Sequence, residues 1–241
     1  MIRLAALAAA ICLSACASAA QSPAPSSGAS GPHGVVFLHP DGMGPNTWTA
    51  IRLLEVGPDG ALAWDALPGV ALYKGPMSDS VTASSNGGAT SHAWGVRAQS
   101  DSLGSINGVK IARNGVGGSL PLMLEAKAAG RAIGIVNTAS VTDAGTGGMI
   151  ASTKNRREHA EIASQMLAAG PTVLMGGGEQ YFLPTGVQGV HGPGVRTDGR
   201  NLIEEARASG YRIVRTMAEL AEAVKTPGKV LALCAAGDTF N

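Results

Sequence analysis

The chain is short of cysteine, short of aromatics and without an excess of charge of either sign. Lysine and arginine number 18 against 17 acidic residues, a formal net charge of +1 over 241 residues. That balance lacks the basic footprint of nucleic-acid binding, so nucleic acid is not an expected partner. The three cysteines are Cys12, Cys16 and Cys234. Cys12 falls in the leader described below and Cys16 would carry lipid, so Cys234 stands alone and no internal disulfide is expected in the mature chain. Within Val230 to Cys234 it reads as a small buried hydrophobe in a strand. There is no internal repeat, no coiled-coil heptad, and no His-x-x-x-His or Cys/His spacing of a metal site.

Hydrophobic residues make up 45% of the chain, enough for one large domain with a true core. The N-terminus is not part of it. Arg3 follows Met1 and Ile2 as a positive start, and the apolar stretch Leu4 to Leu13 is too short for the ~20 residues of a membrane span. Leu13-Ser14-Ala15-Cys16 resembles the lipobox of bacterial lipoproteins, which makes residues 1–15 a signal peptide and Cys16 a lipidated first residue. Ordinary cleavage near Ala17-Ser18-Ala19 is the alternative. Both readings export the protein, to the periplasm or to a lipid anchor on the membrane. Residues 16–32 are Ala, Ser, Pro and Gly after the cysteine, with one Gln and no charge, the composition of a flexible linker.

From residue 33 to 241, short β-branched runs alternate with helical patterns. Strands are expected at Val35–His39, Gly69–Tyr73, Ala132–Val136, Thr172–Met175, Tyr211–Val214 and Lys229–Cys234. Helices are expected at Leu120–Ala129 (Ser119 as cap, Gly130 as stop), Arg156–Ala169, Leu202–Ser209 and Met217–Val224. This alternation predicts βαβ units, hence an α/β fold of three layers, α/β/α, around a mainly parallel sheet. In such sheets ligands lie beyond the carboxyl ends of the strands. Asp41, in Pro40-Asp41-Gly42-Met43-Gly44, follows the first expected strand and would sit there. A second signal is the run Ser84-Ser85-Asn86-Gly87-Gly88-Ala89-Thr90, a helix start that winds on to Gly95. A serine hydroxyl there lies in the field of unpaired N–H groups that favour anions.

These motifs, in order, resemble the alkaline phosphatase family. The resemblance rests on Asp41-Gly42-Met43-Gly44, on Ser85 followed by Thr90 and then Gly95-Val96, and on Val141-Thr142-Asp143-Ala144. It continues through Ala151 to Arg156, Leu174 to Gly178, and Gly210-Tyr211. The fold it implies is the N-terminal portion of an alkaline phosphatase-like domain, truncated at its C-terminus. The activity it implies is hydrolysis of phosphate monoesters through a phosphoserine on Ser85. By the same resemblance Arg156 grips two phosphate oxygens, and Asp41 bridges zinc and magnesium. Asp143 orders water around magnesium, and Thr146 substitutes as a magnesium ligand where Gly145 stands in the usual threonine's place.

Two zinc ions and one magnesium serve the complete family site, whose other ligands are expected beyond residue 241. Activity of the chain alone is therefore expected to be slow or absent. The family's acid before the nucleophile is Ser84 here, and its histidine before the arginine segment is Ser152. Of the five histidines, His92 alone is spaced to share a helix face with Ser85. The alternative function is a non-catalytic lipoprotein that binds phosphate or a partner on a degenerate phosphatase scaffold. A homodimer is compatible with the family. Apolar surface left uncovered by truncation is expected to drive self-association. Size-exclusion chromatography checks this; a clean, stable monomer would count against it.

Overall fold

The structure is a computed structural model and describes residues 34–239. Contacts divide the chain into two units, Met1–His39 and Pro40–Asn241. The expected signal peptide (1–15), Cys16 and the linker (16–32) lie outside the described residues. In the first unit, residues 34–39 are coil, with Val35, Val36 and Leu38 at least 84% exposed. The buried strand expected at Val35–His39 does not form: the segment joins no ladder among the described residues. β-Propensity expresses packing against neighbouring strands, and an apolar run without them stays coil. Gly69–Tyr73 is corrected for the same reason, with Val70 94% and Leu72 98% exposed.

In the second unit α1 (Pro45–Glu55) has Pro in its first turn, where the missing N–H costs nothing. Helix α2 (Ser85–Trp94) is capped by Ser84 and ends at Gly95, whose left-handed φ of 61° suits glycine. A two-residue hairpin follows, β1 (Ser105–Ile106) with β2 (Val109–Lys110). Helix α3 (Leu122–Ala128) starts behind Pro121, which occupies the cap position expected for Ser119. Next come β3 (Gly134–Ser140), the short α4 (Ala144–Gly147) and α5 (His159–Ala169). The helix expected from Arg156 starts later because the Asn155 side chain accepts from the Arg157 N–H at 2.9 Å, a local turn that competes with helix. Strand β4 (Val173–Gly177), α6 (Leu202–Ala208), β5 (Tyr211–Val214), α7 (Met217–Ala223) and β6 (Lys229–Leu233) complete the unit.

Strands β3, β4, β6 and β5 lie in that order, all parallel. Register places Ile135, Leu174, Leu231 and Ile213 in one row across the sheet. That row belongs to the main core, with Ile162 and Met166 of α5 and Leu202, Ile203 and Ala206 of α6. The opposite face carries Met175, Ala232 and Val214, packed with Leu220 and Ala223 of α7. Helices cover both faces, the three-layer arrangement expected, because a parallel sheet has two apolar sides to bury.

Loops leaving the carboxyl ends of β3 and β6 meet there: the Ser140 N–H donates to Asp238 Oδ1 at 2.8 Å. The loop after β3 also carries α4 onto α2. A Cβ at Gly148 would stand 2.8 Å from Ala89 Cβ and 3.0 Å from the Ala144 carbonyl, so this contact needs glycine. Gly148→Ala is expected to destabilise the domain by ~1–3 kcal/mol through overpacking, read from urea unfolding.

Candidate active site

Two adjacent serines open α2, and their hydroxyls are used differently. Ser84 Oγ accepts from the Gly87 N–H at 3.4 Å, lies 2.8 Å from Asn86 Oδ1, and contacts the Ser100 carbonyl. It is committed to holding the helix start. Ser85, half-buried at the first helical position, makes no side-chain hydrogen bond among the described residues. Its hydroxyl is available for chemistry, and the N-terminal dipole of α2 favours negative charge beside it.

Arg156 reaches this helix start from the turn before α5. Its Nη2 lies 3.3 Å from Asp143 Oδ1 and its Nη1 lies 3.5 Å from Asn86 Oδ1. Asp143 holds the cap position of α4 but makes no capping bond, so its carboxylate is turned to the arginine instead. Both side chains are about one-third exposed, and solvent screening limits the pair to ~0–1 kcal/mol. The pair matters for placement more than for stability.

Asp41 sits in an exposed turn, with Gly42 at a φ of 67°. Its Oδ2 lies 3.4 Å from where a Cβ of Gly145 would be, so the carboxylate rests against the first turn of α4. Thr146 Oγ1 donates to the Val141 carbonyl at 2.8 Å and accepts from Asn137 Nδ2 at 3.2 Å, which ties it into the turn after β3. Ser85 and Arg156 thus converge at the start of α2, while Asp41, Asp143 and Thr146 gather around α4. The two helices pack together.

The sequence profile of the alkaline phosphatase family matches residues 33–240. The chain belongs to the alkaline phosphatase family. It is 32% identical over 227 residues to streptomycin-6-phosphate phosphatase of Streptomyces griseus, covering 84% of this chain and 47% of that protein. It is 33% identical to alkaline phosphatase of Gadus morhua, covering 71% of this chain and 42% of that one. The crystal structure of a cold-active alkaline phosphatase from Shewanella superposes with a TM-score of 0.65 at 25% identity, over 82% of this chain and 45% of the other. The chain therefore spans less than half the length of these relatives.

The metal donors in place at this site are few. Among the described residues no three His, Cys, Asp or Glu side chains come together to hold a metal ion. Asp41 offers the hard oxygen that magnesium takes, but no cluster of the nitrogen and sulfur ligands typical of zinc is present among the described residues. His92 lies seven residues beyond Ser85, ~10 Å along the helix axis, with its ring 5.2 Å from that of Tyr73. His191 Nε2 is 3.0 Å from the Arg215 carbonyl, a structural contact.

Sequence reading missed two features of this site. One is Asn86, 1% exposed, which bridges Ser84 and Arg156. The other is a polar chain in which Asp238 binds the Ser140 N–H, Ser140 Oγ lies 2.8 Å from Thr142 Oγ1, and Thr142 Oγ1 lies 3.0 Å from His159 Nδ1. The links to Arg156, Asp238 and His159 join separate segments, so no local signal marks them. His159 also stacks on Tyr181 with centroids 4.3 Å apart.

Burial is the largest influence on this imidazole and pulls its pKa below the ordinary 6.5, against the opposing Thr142 bond and Asp143 charge. A depressed base is protonated more readily when unfolded, so its stabilising contribution is full above pH 6.5 and is lost as pH falls through the folded value. NMR titration of His159 is expected to give a midpoint below 6.5, with unfolding free energy declining over that window. His159→Phe should flatten the decline.

Proposed function

We propose that the protein hydrolyses phosphate monoesters through a phosphoserine on Ser85. The observation that carries this reading is the meeting of an uncommitted serine hydroxyl, a helix N-terminus and Arg156 at one place. Ser85 Oγ attacks phosphorus, forming a Ser85–O–P bond as the bond to the ester oxygen breaks. The serine proton leaves with the alcohol. Water then attacks the phosphoserine, returning the serine hydroxyl and releasing inorganic phosphate. Arg156 takes two phosphate oxygens through its planar fork, and the first-turn N–H groups of α2 share the negative charge.

By the family resemblance, two zinc ions and one magnesium serve such a site. By the same resemblance Asp41 and Thr146 would hold the magnesium ion through oxygen, with Asp143 ordering water around it, and zinc would take donors additional to the described residues. When bound, such ions supply positive charge that favours the ionised serine and the phosphoryl oxygens. The substrate class is a small-molecule phosphate monoester. We also propose export, with Cys16 as a lipid-bearing residue, supported by the leader sequence alone.

Incubation with p-nitrophenyl phosphate, quenching in acid and peptide mass spectrometry test the reading. A single phosphoryl group is expected on Ser85 and not on Ser84, absent in Ser85→Ala and strongly reduced in Arg156→Ala. Phosphate on Ser84, or an equal yield of phosphopeptide from Ser85→Ala, would overturn it.

A further inference from the structure

Asn86 has no evident local reason to be where it is. Asparagine is a poor helix former, and the capping work at the start of α2 is already done by Ser84. Its side chain is nonetheless 1% exposed, and a buried amide needs partners. Arginine has donors only, so the atom turned to Arg156 must be the amide oxygen. That oxygen lies 2.8 Å from Ser84 Oγ and 3.5 Å from Arg156 Nη1, while Asp143 takes Nη2 at 3.3 Å. Both terminal nitrogens of the guanidinium therefore face acceptors on two different elements, α2 and the cap of α4. Only one of these acceptors is charged.

We propose that Asn86 is the positioning residue for Arg156, a neutral acceptor steadied by Ser84 that aims the guanidinium without cancelling its charge. Arg156, Asp143 and Asn86 together sum to zero charge; a second carboxylate at 86 would make the trio negative and repel a phosphate dianion at close range. The Ser84 hydroxyl has a single hydrogen, divided between Asn86 and the Ser100 carbonyl, so the amide is also linked to the loop that packs on α2. This inference rests on the reading of Arg156 as the phosphate-binding cation.

A double-mutant cycle on the full chain tests it, with inorganic phosphate as the probe, affinity from 31P NMR titration, and thermal melts to confirm folding. Asn86→Ala is expected to weaken phosphate binding about tenfold in the natural background and to have almost no effect in an Arg156→Ala background. A purely structural role would lower affinity by the same factor in both. Ser84→Ala is the second variant, decisive if Asn86→Ala fails to fold; it should weaken binding about threefold, again only when Arg156 is present. If Arg156→Ala weakens binding but neither substitution does, or their effects are additive with it, the role of Asn86 is overturned and the functional reading stands. If the unsubstituted chain does not bind phosphate, or Arg156→Ala binds it equally well, the functional reading fails and the inference with it.

Discussion

Four short parallel strands must be covered on both faces, and that requirement shapes the second unit. Parallel neighbours cannot be joined by tight hairpins, so each connection crosses a face of the sheet. Residues alternating along β6 show the result. Val230 and Ala232 enter the core beneath α7, while Leu231 and Leu233 enter the core beneath α5 and α6. Since all strands run the same way, the segments leaving them gather at one edge. Asp143, Thr146 and Asp238 are all on such segments. The candidate site is a consequence of how the sheet is buried.

The edge supplies proximity, and close packing turns it into geometry. The absence of a side chain at Gly148 lets α4 approach Ala89 of α2, which brings the Asp143 cap beside the start of α2. Arg156 then spans from Asp143 to Asn86. Ser84 and Ser85, chemically identical and adjacent, are separated in role by a small difference in position. One sits at the cap, where its oxygen accepts from the Gly87 N–H and its hydrogen is turned to a neighbouring carbonyl. The other sits one residue along, inside the helix field but outside those bonds.

Much of the architecture was legible in advance because it depends on periodicity and punctuation. Strands β4, β5 and β6 and helices α5, α6 and α7 follow the sequence reading within a few residues, since apolar spacing, glycine stops and polar caps act locally. Val35–His39 and Gly69–Tyr73 did not follow it. An isolated β-branched run says that a strand would be stable if paired, and pairing is not a local property. Ser119 failed as a cap because Pro121 sits closer to the helix and already has the extended backbone a cap requires.

The sequence by itself determined the α/β class and the family, and pointed to Asp41, Ser85, Asp143 and Arg156 in order along the chain. Spacing within one segment was the signal for the serine, because Ser85, Thr90 and Gly95 all lie on a single helix and its end. Tertiary structure alone decided which serine hydroxyl stays available. It also decided that Asn86 meets an arginine 70 residues away, and that Asp238 is tied through Ser140 and Thr142 to His159. These are contacts between side chains whose separation along the chain carries no information about their separation in space; only the burial of a common sheet brings them together.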